Sequence, residues 1–169
     1  MNRRAAELVA LAAAQERTIA VAESLTGGAL ASALVDVPGA SAVLRGGVVA
    51  YATDLKASVL GVDVDLLERE GAVHPLVAEQ MAQGVARLAR ASVGLSTTGV
   101  AGPDPQDGKP VGTVFVAVHA DGRTTTRRLA LDGDRAAIRE AAVARVIDLA
   151  LAVLGDDPGA GTNEGFREL

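Results

Sequence analysis

The chain has 169 residues, 49% of them hydrophobic and 22% charged, which is typical of one globular domain. The net charge of −5 argues against a nucleic-acid-binding surface, and no 18-residue apolar run is present to span a membrane. With no Cys and only two His, the composition excludes disulfides, thiol nucleophiles and metal sites built on several His.

The hydrophobic pattern predicts helices and strands that alternate over most of the chain. The predicted helices lie at 3–16, 29–37, 55–60, 63–70, 76–90 and 134–154, and the predicted strands at 18–22, 46–51, 91–96, 112–120 and 123–131. Asp121-Gly122 predicts a two-residue hairpin turn between the last two strands. This order predicts a three-layer α/β/α domain with a mixed, mostly parallel five-stranded sheet.

One domain is expected to cover residues 1–154, with a flexible tail at 155–169. The first 18 residues are charged at both ends, which predicts an amphipathic helix rather than a signal peptide. We therefore expect a cytoplasmic protein.

Lysine is rare in this chain, so the positions that keep it are candidates for a role that arginine cannot fill. The chain has only two Lys, Lys56 and Lys109, among 16 basic residues, so Arg serves wherever a plain positive charge suffices. Lys can lose its proton near neutral pH when it is buried, whereas Arg cannot. Tyr51 is the only Tyr. These two rare residues lie close together in the sequence and are candidates for chemistry.

Familiar catalytic motifs are missing. The sequence has no phosphate-binding P-loop, no dinucleotide fingerprint and no G-x-S-x-G nucleophile motif. A short-chain dehydrogenase would place Lys four residues after Tyr, whereas Lys56 follows Tyr51 by five. Polar loops at 23–28, 51–56 and 97–102 instead follow predicted strands, where open α/β sheets bind ligands. A hydroxyl such as that of Ser41 could use Lys56 as its base, with Tyr51 as a proton relay.

Six short motifs then occur in order along the chain. They are AESLTGG at 22–28, PGAS at 38–41, GVVAY at 47–51 followed by Lys56 and LGV at 60–62, TGVAGP at 98–103, PVGTV at 110–114, and GDR at 133–135 followed by Ile138 and Arg139. Over residues 8–154 the sequence resembles the C-terminal domain family of competence/damage-inducible protein A (CinA). Stand-alone members of that family are nicotinamide-nucleotide amidases.

This resemblance implies hydrolysis of nicotinamide mononucleotide (NMN) to nicotinate mononucleotide and ammonia, in the recycling of pyridine nucleotides. It implies Ser41 as the nucleophile, activated by Lys56 and Tyr51. The substrate-binding residues that it implies are Ser24, Thr26, Gly27, Thr98, Gly99, Ala101, Gly102 and Arg139, with Arg135 as a weaker candidate. It also implies a homodimer with no metal and no cofactor, acting on a small nucleotide rather than on nucleic acid or a membrane.

Two departures from the family pattern, Pro105 and His74, bear on substrate fit or on a subunit contact. Simpler roles also remain open: Ser24 and Ser41 suit helix caps, and Lys56 suits a solvated surface. Two further functions stay as alternatives. The first is a nucleotide-binding or assembly domain without catalysis, and the second is an amidase for another small amide.

Overall fold

A five-stranded sheet forms the centre of the computed structural model, which describes residues 3–155. The strands are β1 (Ile19–Glu23), β2 (Leu44–Val49), β3 (Val93–Gly99), β4 (Thr113–Ala120) and β5 (Arg123–Ala130). They lie in the order β2-β1-β3-β4-β5. The first three strands run parallel, and β4 and β5 are each antiparallel to the preceding strand. The predicted mixed α/β sheet is confirmed.

Helices cover both faces of this sheet. They are α1 (Arg3–Ala14), α2 (Ala29–Val35), α3 (Thr53–Ser58), α4 (Val64–Glu70), α5 (Pro75–Ala89) and α6 (Arg135–Gly155), with one 3₁₀ turn at Ala40–Ala42. One face packs against α1, α2 and α6, and the opposite face packs against α5, with α4 beside it. The predicted three layers are therefore present. No helix within residues 3–155 has both the length and the apolar character to cross a bilayer.

Strand β1 is the central parallel strand, and all of its residues are buried. Ile19 and Val21 face the core between the sheet and α6, whereas Ala20 and Ala22 face α5. Alternation along a strand places large and small residues on opposite faces. The small residues on the second face allow α5 to pack close to the sheet.

The structure refines two boundaries of the predicted elements. Asp121 and Gly122 have φ angles of 53° and 73°, which confirms the predicted two-residue hairpin because such turns need positive φ at both positions. Strand β3 continues to Gly99, so Thr97 and Thr98 lie in a strand rather than in the predicted loop. Threonine is β-branched and favours extended structure. The expected tail at 155–169 falls almost entirely outside the described residues.

Candidate active site

The chain changes direction at the carboxyl end of β1. It leaves β1 through α2 to reach β2 on one side, then crosses back to β3 on the other side. Such a switch point opens a crevice beyond the strand ends, where α/β proteins bind ligands. Ser24 follows β1 directly, and its backbone N–H donates to the Thr97 carbonyl at 3.0 Å. This bond holds Ser24 at the mouth of the crevice between β1 and β3.

Lys56 approaches Ser24 from the short helix α3. Although α3 lies at the surface, the side chain of Lys56 points inward, and the residue is only 1% exposed. Its Nζ atom donates to Ser24 Oγ at 3.1 Å and to the Ala50 carbonyl at 2.7 Å. These partners are neutral, and within residues 3–155 no carboxylate makes a hydrogen bond to this buried amine.

Burial changes the acid–base behaviour of Lys56. Desolvation disfavours the charged ammonium and lowers the pKa of Lys56 from 10.5 to about 8, while the negative charges of Asp107 and Asp54 act in the opposite direction. A substantial fraction of the amine is thus neutral near physiological pH. A neutral amine can accept a proton from the neighbouring Ser24 hydroxyl, which is the requirement for a general base.

A small cavity of about 130 Å³ opens beside Ser24 and Lys56. Its wall is partly apolar, from Ala72 and Val73, and partly polar, from the loop that follows β3. The lining residues are Ser24, Leu25, Tyr51, Lys56, Ala72, Val73, Thr98, Gly99, Val100, Ala101, Gly102, Asp104, Gln106 and Arg135. Among the predicted binding residues, the cavity brings together Ser24, Thr98, Gly99, Ala101 and Gly102.

Tyr51 lies at the rim of this cavity and is 57% exposed. Its hydroxyl accepts a hydrogen bond from Arg135 Nη2 at 2.7 Å, and Arg135 Nη1 donates to the Gly102 carbonyl at 2.8 Å. The contact between Tyr51 and Lys56 runs through the Tyr51 backbone carbonyl, at 3.5 Å from Nζ. The geometry therefore couples the Tyr51 hydroxyl to Arg135 rather than to Lys56.

The structure does not bring Ser41 to this site, although the resemblance implies Ser41 as a partner of Lys56 and Tyr51. Ser41 lies in the 3₁₀ turn before β2, whereas Lys56 follows the end of β2. The strand has six residues, and at about 3.3 Å per residue its first and last residues lie about 17 Å apart. Ser41 is exposed and lines a separate surface depression with Pro38 and Leu44.

Three other predicted binding residues lie outside the cavity wall. Thr26 is fully buried, and its hydroxyl shares a 2.8 Å hydrogen bond with the Thr97 hydroxyl. Gly27 adopts a φ of 60°, and a Cβ built there would lie 3.5 Å from Arg139 Nη2. Arg139 donates to the carbonyls of Leu25 and Thr26. These residues shape the turn that carries Ser24, and Arg135 is the arginine at the cavity.

The two departures from the family pattern lie near the cavity without entering it. His74 precedes α5 and accepts from the Leu76 N–H through Nδ1 at 3.3 Å, so it caps that helix. Pro105 lies between the lining residues Asp104 and Gln106. In the same loop, Asp107 accepts from the Ala72 N–H at 3.0 Å, which anchors the loop beside the cavity wall.

Sequence reasoning missed the part that Glu23 plays. This residue ends β1, is fully buried, and accepts hydrogen bonds from three backbone N–H groups at the start of α2. A carboxylate at the end of an apolar strand was the available signal, because buried carboxylates need partners. Ala72 and Val73 carried no comparable signal, since only the packing of α4 and α5 places them at the cavity.

Comparison with known proteins gives the family. The family model of the CinA C-terminal domain matches residues 1–154. A CinA-like protein of Frankia casuarinae is 53% identical over 143 residues, and one of Anaeromyxobacter sp. (strain Fw109-5) is 48% identical over 145 residues. These matches cover 85% and 84% of this chain but 33% and 35% of the relatives, so the chain spans about a third of their length.

A solved structure agrees with this result. The crystal structure of a CinA superfamily protein from Escherichia coli is 33% identical, with a TM-score of 0.86 over 89% of this chain and 88% of that one. The sequence match and the shared fold extend over nearly all of the described residues. The chain therefore belongs to the CinA C-terminal domain family.

Proposed function

We propose that this chain hydrolyses the carboxamide of NMN to nicotinate mononucleotide and ammonia, with Ser24 as the nucleophile and Lys56 as its base. The observation that carries the proposal is the buried Lys56 amine, whose Nζ atom lies 3.1 Å from Ser24 Oγ at the mouth of a cavity. NMN as the substrate rests on the resemblance of the sequence motifs. The assignment of Ser24, instead of Ser41, as the nucleophile rests on the contact between Ser24 Oγ and Lys56 Nζ.

The chemistry begins with a proton transfer from Ser24 Oγ to the neutral Nζ of Lys56. The Oγ atom forms a bond to the amide carbon, and the carbonyl oxygen takes the electron pair as an oxyanion. The C–N bond then breaks while protonated Lys56 donates a proton to the leaving nitrogen, which departs as ammonia. The nicotinoyl ester of Ser24 remains.

Water completes the cycle by the same route. Lys56 accepts a proton from water, and the resulting hydroxide oxygen bonds to the ester carbon. The bond between that carbon and Ser24 Oγ breaks, and Lys56 returns a proton to Oγ. The new carboxylic acid group releases its proton to solvent, and nicotinate mononucleotide leaves as the carboxylate. The backbone N–H of Leu25, directly after the nucleophile, is a candidate donor to the oxyanion, and one such donor contributes about 3 kcal/mol.

The cavity supports an aromatic amide as the reacting group. Its volume of about 130 Å³ is close to the roughly 150 Å³ of an engineered cavity that binds benzene. The apolar side chains of Ala72 and Val73 suit the flat face of a pyridine ring. The ribose phosphate would then extend past the rim, where the exposed guanidinium of Arg135 can pair with a phosphate in a bidentate manner.

The test is ammonia release from NMN by the purified protein and by two matched variants. We expect Ser24→Ala to abolish turnover and Ser41→Ala to leave it within about twofold, because Ser41 lies beyond the other end of β2 and lines a separate depression. Equal loss in both variants, or loss in Ser41→Ala alone, would overturn the Ser24 assignment. Nicotinamide and glutamine as further substrates separate an NMN amidase from an amidase of smaller amides. Binding of NMN without ammonia release would favour a binding domain.

A further inference from the structure

Glu23 is a buried acid that the proposed chemistry leaves unused. Its side chain is fully buried at the end of β1, next to Ser24. Oε2 accepts from the backbone N–H groups of Gly28 and Leu30 at 3.0 Å each, and Oε1 accepts from Ala31 at 2.8 Å. The carboxylate thus satisfies three of the free N–H groups that begin α2. It ties the far end of the turn at 24–28 back to the strand.

Arg139 holds the same turn from the opposite side. This half-buried residue of α6 donates from Nε to the Leu25 carbonyl at 3.0 Å and from Nη2 to the Thr26 carbonyl at 2.8 Å. The Glu23 carboxylate therefore accepts hydrogen bonds from N–H groups at the end of the turn, while the Arg139 guanidinium donates hydrogen bonds to carbonyls of the turn. Charge-assisted hydrogen bonds of this kind are about twice as strong as neutral ones.

The turn needs such support because its backbone is unusual. Gly27 and Gly28 have φ angles of 60° and 96°, in the left-handed region. The helix that follows has only seven residues, too short to hold the turn by its own stability. Ser24 Oγ must nevertheless stay within reach of Lys56. A displacement of about 1 Å at a reacting group can lower a rate about 100-fold.

We propose that Glu23 and Arg139 are positioning residues that clamp the turn at 24–28 and thereby hold Ser24 Oγ against Lys56. Neither side chain contacts the cavity, so their effect passes through the backbone of the turn. The inference rests on the proposed role of Ser24 as a nucleophile. It assigns Arg139 to the nucleophile turn rather than to substrate.

The test is Glu23→Gln, which keeps the size of the side chain but replaces one acceptor oxygen with an amide NH2 donor that faces backbone N–H groups. We expect kcat for NMN to fall at least about 10-fold while KM stays within about threefold, because the turn moves and the cavity does not. Arg139→Gln should give the same pattern. The double variant should lose less than the product of the two single losses, because both residues hold one turn.

A matched control separates positioning from general stability. Asp63 caps α4 by accepting from the Asp65 and Leu66 N–H groups, and it is not among the residues that line the cavity. Asp63→Asn should lower the melting temperature and leave kcat within about twofold. A wild-type kcat in Glu23→Gln would overturn the clamp. The clamp would also be overturned if kcat in Glu23→Gln fell only in proportion to the fraction of protein that is folded.

A second readout does not depend on NMN. Phosphonylation of Ser24 by a fluorophosphonate probe, located by peptide mass spectrometry, reports the reactivity of the hydroxyl itself. We expect the labelling rate to fall at least about 10-fold in Glu23→Gln and to stay unchanged in Asp63→Asn. If the protein does not hydrolyse NMN but its labelling rate still falls in Glu23→Gln, the positioning role of Glu23 is supported and the assignment of NMN as the substrate is wrong. Labelling that is equal in wild type and Glu23→Gln, or absent in both, would overturn the clamp.

Discussion

Lys56 Nζ lies 3.1 Å from Ser24 Oγ, although 32 residues separate them in the chain. Two elements bring them together: β1 ends just before Ser24, and α3 directs Lys56 inward beneath the loop after β2. The amine is thereby withdrawn from water, and no carboxylate in the described part of the chain hydrogen-bonds to it. Its surroundings favour the neutral form, and a neutral amine beside a hydroxyl makes a pair suited to nucleophilic catalysis.

The activity should depend on the ionisation of Lys56. Only the neutral amine can accept the Ser24 proton, so kcat/KM should rise about 10-fold per pH unit below pH 8 and level off above it. A pH profile of ammonia release measures this inflection. Lys56→Arg should be inactive at every pH, because a guanidinium does not lose its proton in this range. Activity in Lys56→Arg, or a flat profile in wild type, would contradict the base assignment.

The loop residue Asp107 should affect the pH at which kcat/KM levels off. Its negative charge raises the pKa of Lys56 against the larger lowering effect of burial. Asp107→Asn keeps an oxygen that can accept from the Ala72 N–H but removes the charge, so the inflection should move to lower pH. Asp104→Asn is the control, since Asp104 lines the cavity but is not among the charges that act on Lys56. An equal shift in both variants would show a general loop effect instead.

The lowered pKa of Lys56 should also make the free energy of unfolding depend on pH. Between pH 8 and 10.5 the unfolded chain keeps a proton on Lys56 that the folded protein has lost, so stability rises with pH. At about 1.4 kcal/mol per pKa unit, the total rise is about 3 kcal/mol. Below pH 8 both states are protonated and the contribution is flat. Urea unfolding of wild type and Lys56→Met across this window gives the difference, and a constant difference would refute the lowered pKa.

The Tyr51–Arg135 contact should act as one unit at the rim. Arg135 Nη2 donates to the Tyr51 hydroxyl at 2.7 Å, on the far side of Tyr51 from its backbone contact with Lys56. We expect Tyr51→Phe and Arg135→Gln each to raise KM for NMN several-fold with little change in kcat. Because each variant breaks the same bond, the double variant should be less than multiplicative. A loss confined to kcat in Tyr51→Phe would restore Tyr51 as a proton relay.

Some residues of the candidate site could be identified from the sequence alone. Lys56 stood out as one of two Lys in an Arg-rich chain, and the loops after β1 and β3 stood out as polar segments at strand ends. The resemblance implied Ser41 as the nucleophile, but its spacing from Lys56 along the chain could not show whether the two side chains meet, and in the structure β2 lies between them. A parallel strand between two residues instead carries them to opposite edges of the sheet.

The sequence by itself determined the elements, their order and the family, because hydrophobic periodicity, turn residues and short motifs are local properties of the chain. Only the tertiary structure decided that Ser24 rather than Ser41 meets Lys56 and that Arg135 rather than Arg139 reaches the cavity. It also decided that Glu23 and Arg139 share one turn. These are contacts between segments far apart in the chain, and their geometry depends on strand direction, register and helix packing. Burial of the Lys56 amine, which lowers its pKa, exists only once those segments have packed.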